Sequence, residues 1–127
     1  MIGDIIQYLI DSGLFAGYAY TDWRDDSTYP FKQDMPVVLI RTQGGQQDAD
    51  IGMVGVDIYL HTGKNASNSD RGALINTATE LDSYLINNST FENVQYVDVV
   101  STYSGPFKDA QERYLTAHRI TLKRSGV

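Results

Sequence analysis

A strict alternation between residues 54 and 61 is the pattern that most constrains how this chain can fold. Its apolar members are Val54, Val56, Ile58 and Leu60. Successive side chains of a β-strand point to opposite sides of the sheet, so a period of two places all four on one face. The other face then carries Gly55, Asp57, Tyr59 and His61. A strand that is apolar on one face predicts an antiparallel sheet covered on that face by other elements.

Two stretches with helical periodicity can cover the apolar face of that strand. In residues 2–12, isoleucine and leucine recur on one side of a helix, and Gly13 follows as a residue that ends helices. In residues 70–86, apolar side chains return after four, three and four positions; they are Leu74, Ala78, Leu81 and Leu85. Ser67, followed three positions later by Asp70, has the pattern of a capping box. We therefore predict helices over residues 2–12 and about 70–86.

Four further stretches have the composition of β-strands, which are rich in β-branched and aromatic residues. They are residues 14–20, 37–41, 94–103 and 112–124. Gly44 and Gly45 favour a hairpin turn before the alternating strand, and residues 104–109 favour a turn between the last two strands. The predicted order is therefore α-β-β-β-α-β-β. This order predicts an α+β fold, a two-layer sandwich in which a mostly antiparallel β-sheet carries both helices on one face.

Length and composition indicate a single α+β domain over residues 1–127. Hydrophobic residues make up 42% of the chain and charged residues 20%, as in folded domains. Cysteine is absent, which excludes disulfide bonds and thiolate metal sites and favours a reducing compartment. The apolar runs are short and the N-terminus lacks a basic segment, so we expect neither a membrane span nor a signal peptide. The formal net charge of −6 disfavours tight binding to nucleic acid.

Residues with catalytic or metal-binding chemistry occur, but without the spacing that such chemistry needs. The two histidines, His61 and His118, lie in predicted strands, and a zinc site needs three or four ligands. His61 could pair with Asp57 on a solvent-facing side of its strand, an arrangement that is more often structural than catalytic. The acidic residues at 22, 25 and 26 lack the spacing of a calcium loop, and no nucleophile elbow or phosphate-binding glycine loop is present. We therefore expect no catalytic residue, no cofactor, no metal and no enzymatic activity.

Aromatic residues in predicted loops are the candidates for contact with a partner. Residues 21–35 form a predicted loop of about fifteen residues, a length that in a compact domain is usually functional or disordered. Trp23, Tyr29 and Phe31 lie in it, and disordered segments are poor in aromatic residues. Phe107 lies in the predicted turn between the last two strands. We predict that these four aromatic residues contribute to an interface, whereas the tyrosines of the predicted strands fill the sheet surface.

The order and character of the predicted elements carry further information. They run through the helix at 2–12, the strand from Met35 to Arg41, the strand from Gly55 to Tyr59, the helix at 74–86, and the closing strands Val97 to Val100 and Tyr114 to Ile120. In this layout, over nearly the whole chain, the sequence resembles the tail terminator family of long-tailed bacteriophages, which includes related tail-completion and minor capsid proteins. The resemblance implies the α+β fold and a structural protein without catalysis.

The same resemblance implies a homo-hexameric ring. In the family such a ring sits on the end of the tail tube, stops its polymerisation and presents a surface to the head–tail connector protein. The implied partners are further copies of the chain, the tail tube protein and the connector protein, with DNA passing through the lumen without specific binding. The implied location is the tail end of the virion, after assembly in the host cytoplasm. An acidic chain fits a lumen that repels DNA phosphates.

Two other interpretations are open at this point. Another head–tail connector, neck or tail tube protein would share the size and the ring assembly of a terminator. A small ligand-binding or enzymatic α+β domain would fit the composition equally well. The mass of the species in solution separates these classes, because a ring former assembles into a multimer whereas a binding module stays monomeric.

Overall fold

The computed structural model describes residues 2–22, 24–25, 27, 29–32, 34–42, 53–88, 90–91 and 95–124. These residues form two helices, α1 (Ile2–Asp11) and α2 (Asn68–Asn87). They also form six strands, which are β1 (Ala19–Thr21), β2 (Val37–Thr42), β3 (Met53–His61), β4 (Thr90–Phe91), β5 (Gln95–Lys108) and β6 (Tyr114–Arg124). The order of the elements is the predicted one, with the two-residue strand β4 added after α2.

The strands form one mainly antiparallel sheet in the spatial order β1-β2-β3-β6-β5-β4. β1 runs parallel to β2, and the other neighbouring strands pair antiparallel. Within the sheet, Ile58 of β3 pairs with Ile40 of β2 and with His118 of β6. This arrangement confirms the predicted α+β fold, in which two helices pack on one face of a mostly antiparallel sheet.

The core lies between the helices and the sheet face that they cover, which we call the front face. Val56, Ile58 and Leu60 are fully buried there, as their alternation predicts. The helices contribute Ile5, Tyr8 and Leu9 from α1, and Leu74, Ala78, Leu81 and Leu85 from α2. Full burial of one such aliphatic side chain stabilises a fold by about 1.5–3 kcal/mol. The front face is therefore closed, and its residues hold the elements in place.

Both ends of α2 are fixed by specific hydrogen bonds. At the N-terminus, the Asp70 N–H donates to Ser67 Oγ at 3.1 Å, and the Ser67 N–H donates to the Asp70 carboxylate at 2.9 Å. The predicted capping box is thus confirmed, and a cap of this kind contributes about 1 kcal/mol. Near the C-terminus, the Tyr8 hydroxyl of α1 donates to the carbonyl of Asn88 at 2.6 Å, and the ring centroids of Tyr8 and Tyr84 lie 5.2 Å apart.

Strand β5 shows that the predicted turn at residues 104–109 is wrong. β5 continues to Lys108, and the chain reverses at residues 109–113 instead. The strand accommodates Gly105 and Pro106 through irregularities, since its register against β6 shifts between residues 99 and 101, 101 and 104, and 104 and 107. Bulges of this kind admit residues that otherwise mark turns. Phe107 consequently lies on a strand of the sheet.

The first edge strand is shorter than predicted. The predicted strand at 14–20 is reduced to Ala19–Thr21, because Gly13 and Gly17 have φ angles of 73° and 84°, which fit turns rather than a strand. The predicted turn at Gly44 and Gly45 lies outside the described residues, although β2 and β3 pair antiparallel as a hairpin requires.

Candidate functional site

The sheet face opposite the helices, which we call the back face, is where side chains remain open to contact. Residues paired across neighbouring antiparallel strands point to the same side of a sheet. The pairing of β2, β3, β6 and β5 therefore defines three rows across the back face. The first row is Val37, His61, Leu115 and Phe107; the second is Leu39, Tyr59, Ala117 and Ser104; the third is Arg41, Asp57, Arg119 and Ser101.

One end of the first row is covered by a group of four residues that we call the clamp: Arg24, Phe31, Asp109 and Arg113. The Phe31 ring meets the His61 ring edge-on, with centroids 5.2 Å apart. The guanidinium carbons of Arg24 and Arg113 lie 5.5 and 5.3 Å from the Phe31 ring centroid. Arg113 is buried and donates from Nη2 to the Phe31 carbonyl at 2.8 Å. These contacts fix the segment around Phe31 against the sheet.

The clamp corrects the expectation for Phe31. It was predicted to contribute to an interface, but its side chain is 1% exposed within a single chain and is therefore already covered by the chain itself. The physical reason is the stacking of two guanidinium groups on its ring, a contact that desolvation strengthens. Phe31 is therefore not available as an interface side chain in this structure.

Asp109 is the anionic centre of the clamp. Its carboxylate accepts from Arg24 Nη2 at 2.6 Å and from Arg113 Nη1 at 3.3 Å. It also accepts from the backbone N–H groups of Gln111 at 2.9 Å and Arg113 at 3.0 Å, which closes the turn between β5 and β6. Burial alone would raise the pKa of the Asp109 carboxyl, but these hydrogen bonds hold it below its ordinary value. Asp109 is therefore ionised and joins the clamp to the sheet.

The third row carries a charged pair with a further arginine beside it. Arg119 donates from Nε to Asp57 Oδ1 at 2.8 Å, and from Nη2 to Oδ2 at 3.5 Å. Asp57 is buried rather than solvent-facing as expected, because Arg119 and the flanking strands cover it. Arg41, paired with Asp57 from the other side, is exposed and makes no ion pair within the part of the chain that the structure describes.

A cleft of about 220 Å³ opens between the clamp and the back face, and we call it the basic cleft. It is lined by Arg24, Leu39, Arg41, Tyr59, His61 and Leu115. The clamp and the third row together contribute four arginines and two aspartates, Asp57 and Asp109, to this region. Among the described residues that line the cleft itself, the charged ones are Arg24 and Arg41, in a chain whose formal net charge is −6.

The part of the back face formed by β5 exposes apolar side chains. Val100 is 57% exposed and Phe107 is 51% exposed. Tyr59, Leu115 and Ala117 lie beside them and are half-buried. Of the four predicted interface residues, Tyr29 at 67% and Phe107 are thus exposed, whereas Trp23 lies outside the described residues.

On the front face, Asp82, His118 and Thr116 form a buried polar group. The three follow the acid–histidine–hydroxyl order of a catalytic triad, but all three residues are buried and lack the access that catalysis needs. His118 Nδ1 lies 2.8 Å from Asp82 Oδ1, and His118 Nε2 lies 3.4 Å from Thr116 Oγ1. The second Asp82 oxygen accepts from the Tyr103 N–H at 2.9 Å. Burial lowers the pKa of His118, and the hydrogen bond and charge of Asp82 oppose this only in part. Thr116 and His118 are at most 1% exposed, so no substrate reaches them, and the group joins α2 to β5 and β6.

Sequence inspection missed this buried group, although the signal was available. Asp82 is adjacent to Leu81 and four residues after Ala78, so it falls on the apolar stripe of the helix. His118 has the same strand parity as Ile120 and therefore points to the front face. A buried acid and a buried histidine on facing elements are expected to pair.

No three histidine, aspartate or glutamate side chains of the described residues lie close enough to hold a metal ion. Among the same residues, no helix is long and apolar enough to cross a bilayer.

No protein-family model matches the sequence, and no curated protein matches it significantly.

Proposed function

We propose that this chain is the repeating subunit of a structural ring, and specifically a tail terminator of a long-tailed bacteriophage. The observation that carries the proposal is the asymmetry of the sheet: the front face is closed, whereas the back face keeps exposed apolar side chains beside a positive cleft. Exposed Phe107 and Val100, both on β5, are typical of a contact surface rather than of a catalytic pocket.

The two edges of the sheet support a head-to-tail assembly. A ring of identical subunits needs two different surfaces on each subunit, which meet as the rotation closes. Here β1 forms one edge, and at the other edge β4 pairs with only the first two residues of β5. Among the described residues, no strand covers the outer side of β5 from residue 97 onward. The two ends of the sheet therefore differ, as a closing ring contact requires.

The irregularities of β5 favour a contact through side chains rather than through a continuous extension of the sheet. Bulges and proline are devices that protect an edge strand from pairing with another chain. β5 has register shifts and Pro106, and its Tyr103 N–H is already bonded to Asp82. We therefore assign the main contact to the back face around Phe107.

The two alternative classes differ in what they require of this surface. A head–tail connector, neck or tube protein would use the same ring contact, and only its binding to the tail end or to the head distinguishes it from a terminator. The basic cleft, at about 220 Å³, is smaller than the roughly 300–1,000 Å³ of ordinary ligand sites. Two other clefts, one beside Asp34 and Asp70 and one beside Tyr59 and Arg119, reach about 330 and 350 Å³ but are open to solvent, so a small-ligand site would have to lie in one of them.

The experiment compares two exposed apolar residues on opposite layers. Phe107→Ser removes a side chain that is 51% exposed on the back face, and Ile86→Ser removes one that is 59% exposed on α2. Sedimentation velocity and negative-stain microscopy, with and without purified tail tubes, measure assembly. We expect closed rings from the wild type and from Ile86→Ser, and loss of rings from Phe107→Ser. A wild type that stays monomeric on its own and with tail tubes would contradict the proposal.

A further inference from the structure

We propose that the basic cleft receives a carboxylate side chain from a second copy of this chain. The inference rests on the proposed ring and names the polar contact that would hold neighbouring subunits together. It starts from the described lining of the cleft, whose charged side chains are Arg24 and Arg41, whereas the chain as a whole carries a formal charge of −6.

The positive charge of the cleft lining comes from Arg24 and Arg41. Asp109 forms ion pairs with both Arg24 and Arg113. Asp57 forms an ion pair with Arg119 of β6, and Arg41 is its register partner on β2. Arg41 is exposed and has no ion pair in the described part of the chain, and its planar fork matches a carboxylate with two parallel hydrogen bonds.

The walls of the cleft favour such a contact. Leu39 and Leu115 supply apolar surface, and Tyr59 supplies an aromatic ring. When a neighbouring subunit covers the cleft, exclusion of water would strengthen the attraction between opposite charges compared with a fully exposed pair. A carboxylate entering beside Arg41 would therefore gain more than it would at an ordinary surface arginine.

Electrostatics also identify the occupant as another copy of the chain. Identical subunits that each carry a formal charge of −6 repel one another when they pack into a ring. A contact between them is favoured by a local surface of the opposite sign, and the arginines of the basic cleft supply such a surface. Sixteen acidic residues per chain supply the complementary groups, whereas a partner without acidic groups would gain nothing from this cleft.

The first test reverses or removes the charge of Arg41 in the full chain. In Arg41→Glu, assembly measured by sedimentation velocity should weaken by about tenfold or more, which corresponds to roughly 1.4 kcal/mol. Arg41→Gln should weaken it less, and its melting temperature shows whether the fold is retained. Arg71→Glu makes the same charge change on α2 and should assemble like the wild type. Raising the salt concentration should weaken wild-type assembly more than that of Arg41→Gln.

The second test locates the carboxylate. In Arg41→Lys, a carbodiimide reagent should join the introduced amine to a carboxylate of the neighbouring subunit, and mass spectrometry of mixed heavy- and light-isotope chains should show the link between copies. Arg71→Lys is the matched control. Rings with unchanged affinity in Arg41→Glu, or links within one chain only, would overturn this inference and leave the ring intact. Arg41-dependent binding of a labelled oligonucleotide by a chain that does not assemble would overturn both proposals.

Discussion

The two faces of the sheet are covered by different structural elements. The front face holds the residues that stabilise the protein, whereas the back face holds the residues that partners can contact. On the front face, two regular helices bury aliphatic residues against alternating strands. On the back face, one irregular segment is held by stacked arginines and a shared aspartate, and it leaves Phe107 and Val100 exposed. The front face therefore carries most of the stability, and the back face carries the surface that is available for assembly.

The largest effect is expected from a cavity on the front face. Leu81 is fully buried between α2 and the sheet. Leu81→Ala should lower the free energy of unfolding by about 2–5 kcal/mol, because the lost contacts are not replaced. Urea denaturation followed by circular dichroism measures this. A loss no greater than that of an exposed control such as Ile86→Ala would remove the distinction between the two faces.

The buried polar group should come next in size. Asp82→Ala leaves His118 Nδ1 and the Tyr103 N–H without their partner in the interior. We expect a loss of about 1–3 kcal/mol, the usual cost of an unsatisfied buried group. The double variant Asp82→Leu with His118→Leu removes the polar atoms of both side chains and should recover part of the loss. A single variant as stable as the wild type would contradict the assigned role.

A smaller effect is expected from release of the clamp. Asp109→Asn weakens the ion pairs with Arg24 and Arg113, and it should cost about 1–2 kcal/mol. Trypsin should then cut faster after Arg24 and Lys32, while cutting after Arg71 in α2 stays at the wild-type rate. Asp98→Asn, an exposed aspartate of β5, is the matched control. Equal acceleration at all sites would indicate global unfolding rather than local release.

The pH dependence of the free energy of unfolding should distinguish the contribution of His118 from that of Asp109. Burial lowers the pKa of folded His118, so the unfolded chain takes up a proton more readily. The free energy of unfolding should therefore fall as the pH drops below about 6.5, the ordinary histidine value. Asp109 has a lowered pKa, so its contribution should persist until the pH falls below about 3.9. Denaturation curves of the wild type and His118→Gln should diverge in the first range, with the larger pH-dependent loss in the wild type.

The smallest effect on the single chain is expected on the exposed half of the back face. Phe107→Ser should change the free energy of unfolding of the monomer by no more than about 0.5 kcal/mol, since surface substitutions usually have small effects. Thermal melts below the concentration at which rings form measure this. A large loss would mean that Phe107 belongs to the core and would remove it from the contact surface.

The contrast between the faces also explains how much the sequence could predict. The front face follows from periodicity, because Ile58 and Leu81 repeat at the spacings of a strand and a helix. The clamp depends on contacts between residues far apart in sequence, such as the bond from Arg113 to the Phe31 carbonyl, and no local pattern encodes it. For this reason Phe31 was predicted to be a loop anchor. Gly105 and Pro106 were misleading for a different reason, since bulges allow a strand to contain residues that favour turns.

The most direct test of the assembly surface is hydroxyl-radical footprinting of side chains, read by mass spectrometry, in the single chain and in the ring on tail tubes. We expect oxidation of Phe107 and Tyr59 to fall strongly on assembly, while oxidation of Ile86 on α2 stays near its level in the single chain. Protection of Ile86 with Phe107 still fully reactive would place the contact on the helical layer and contradict the assignment of the back face.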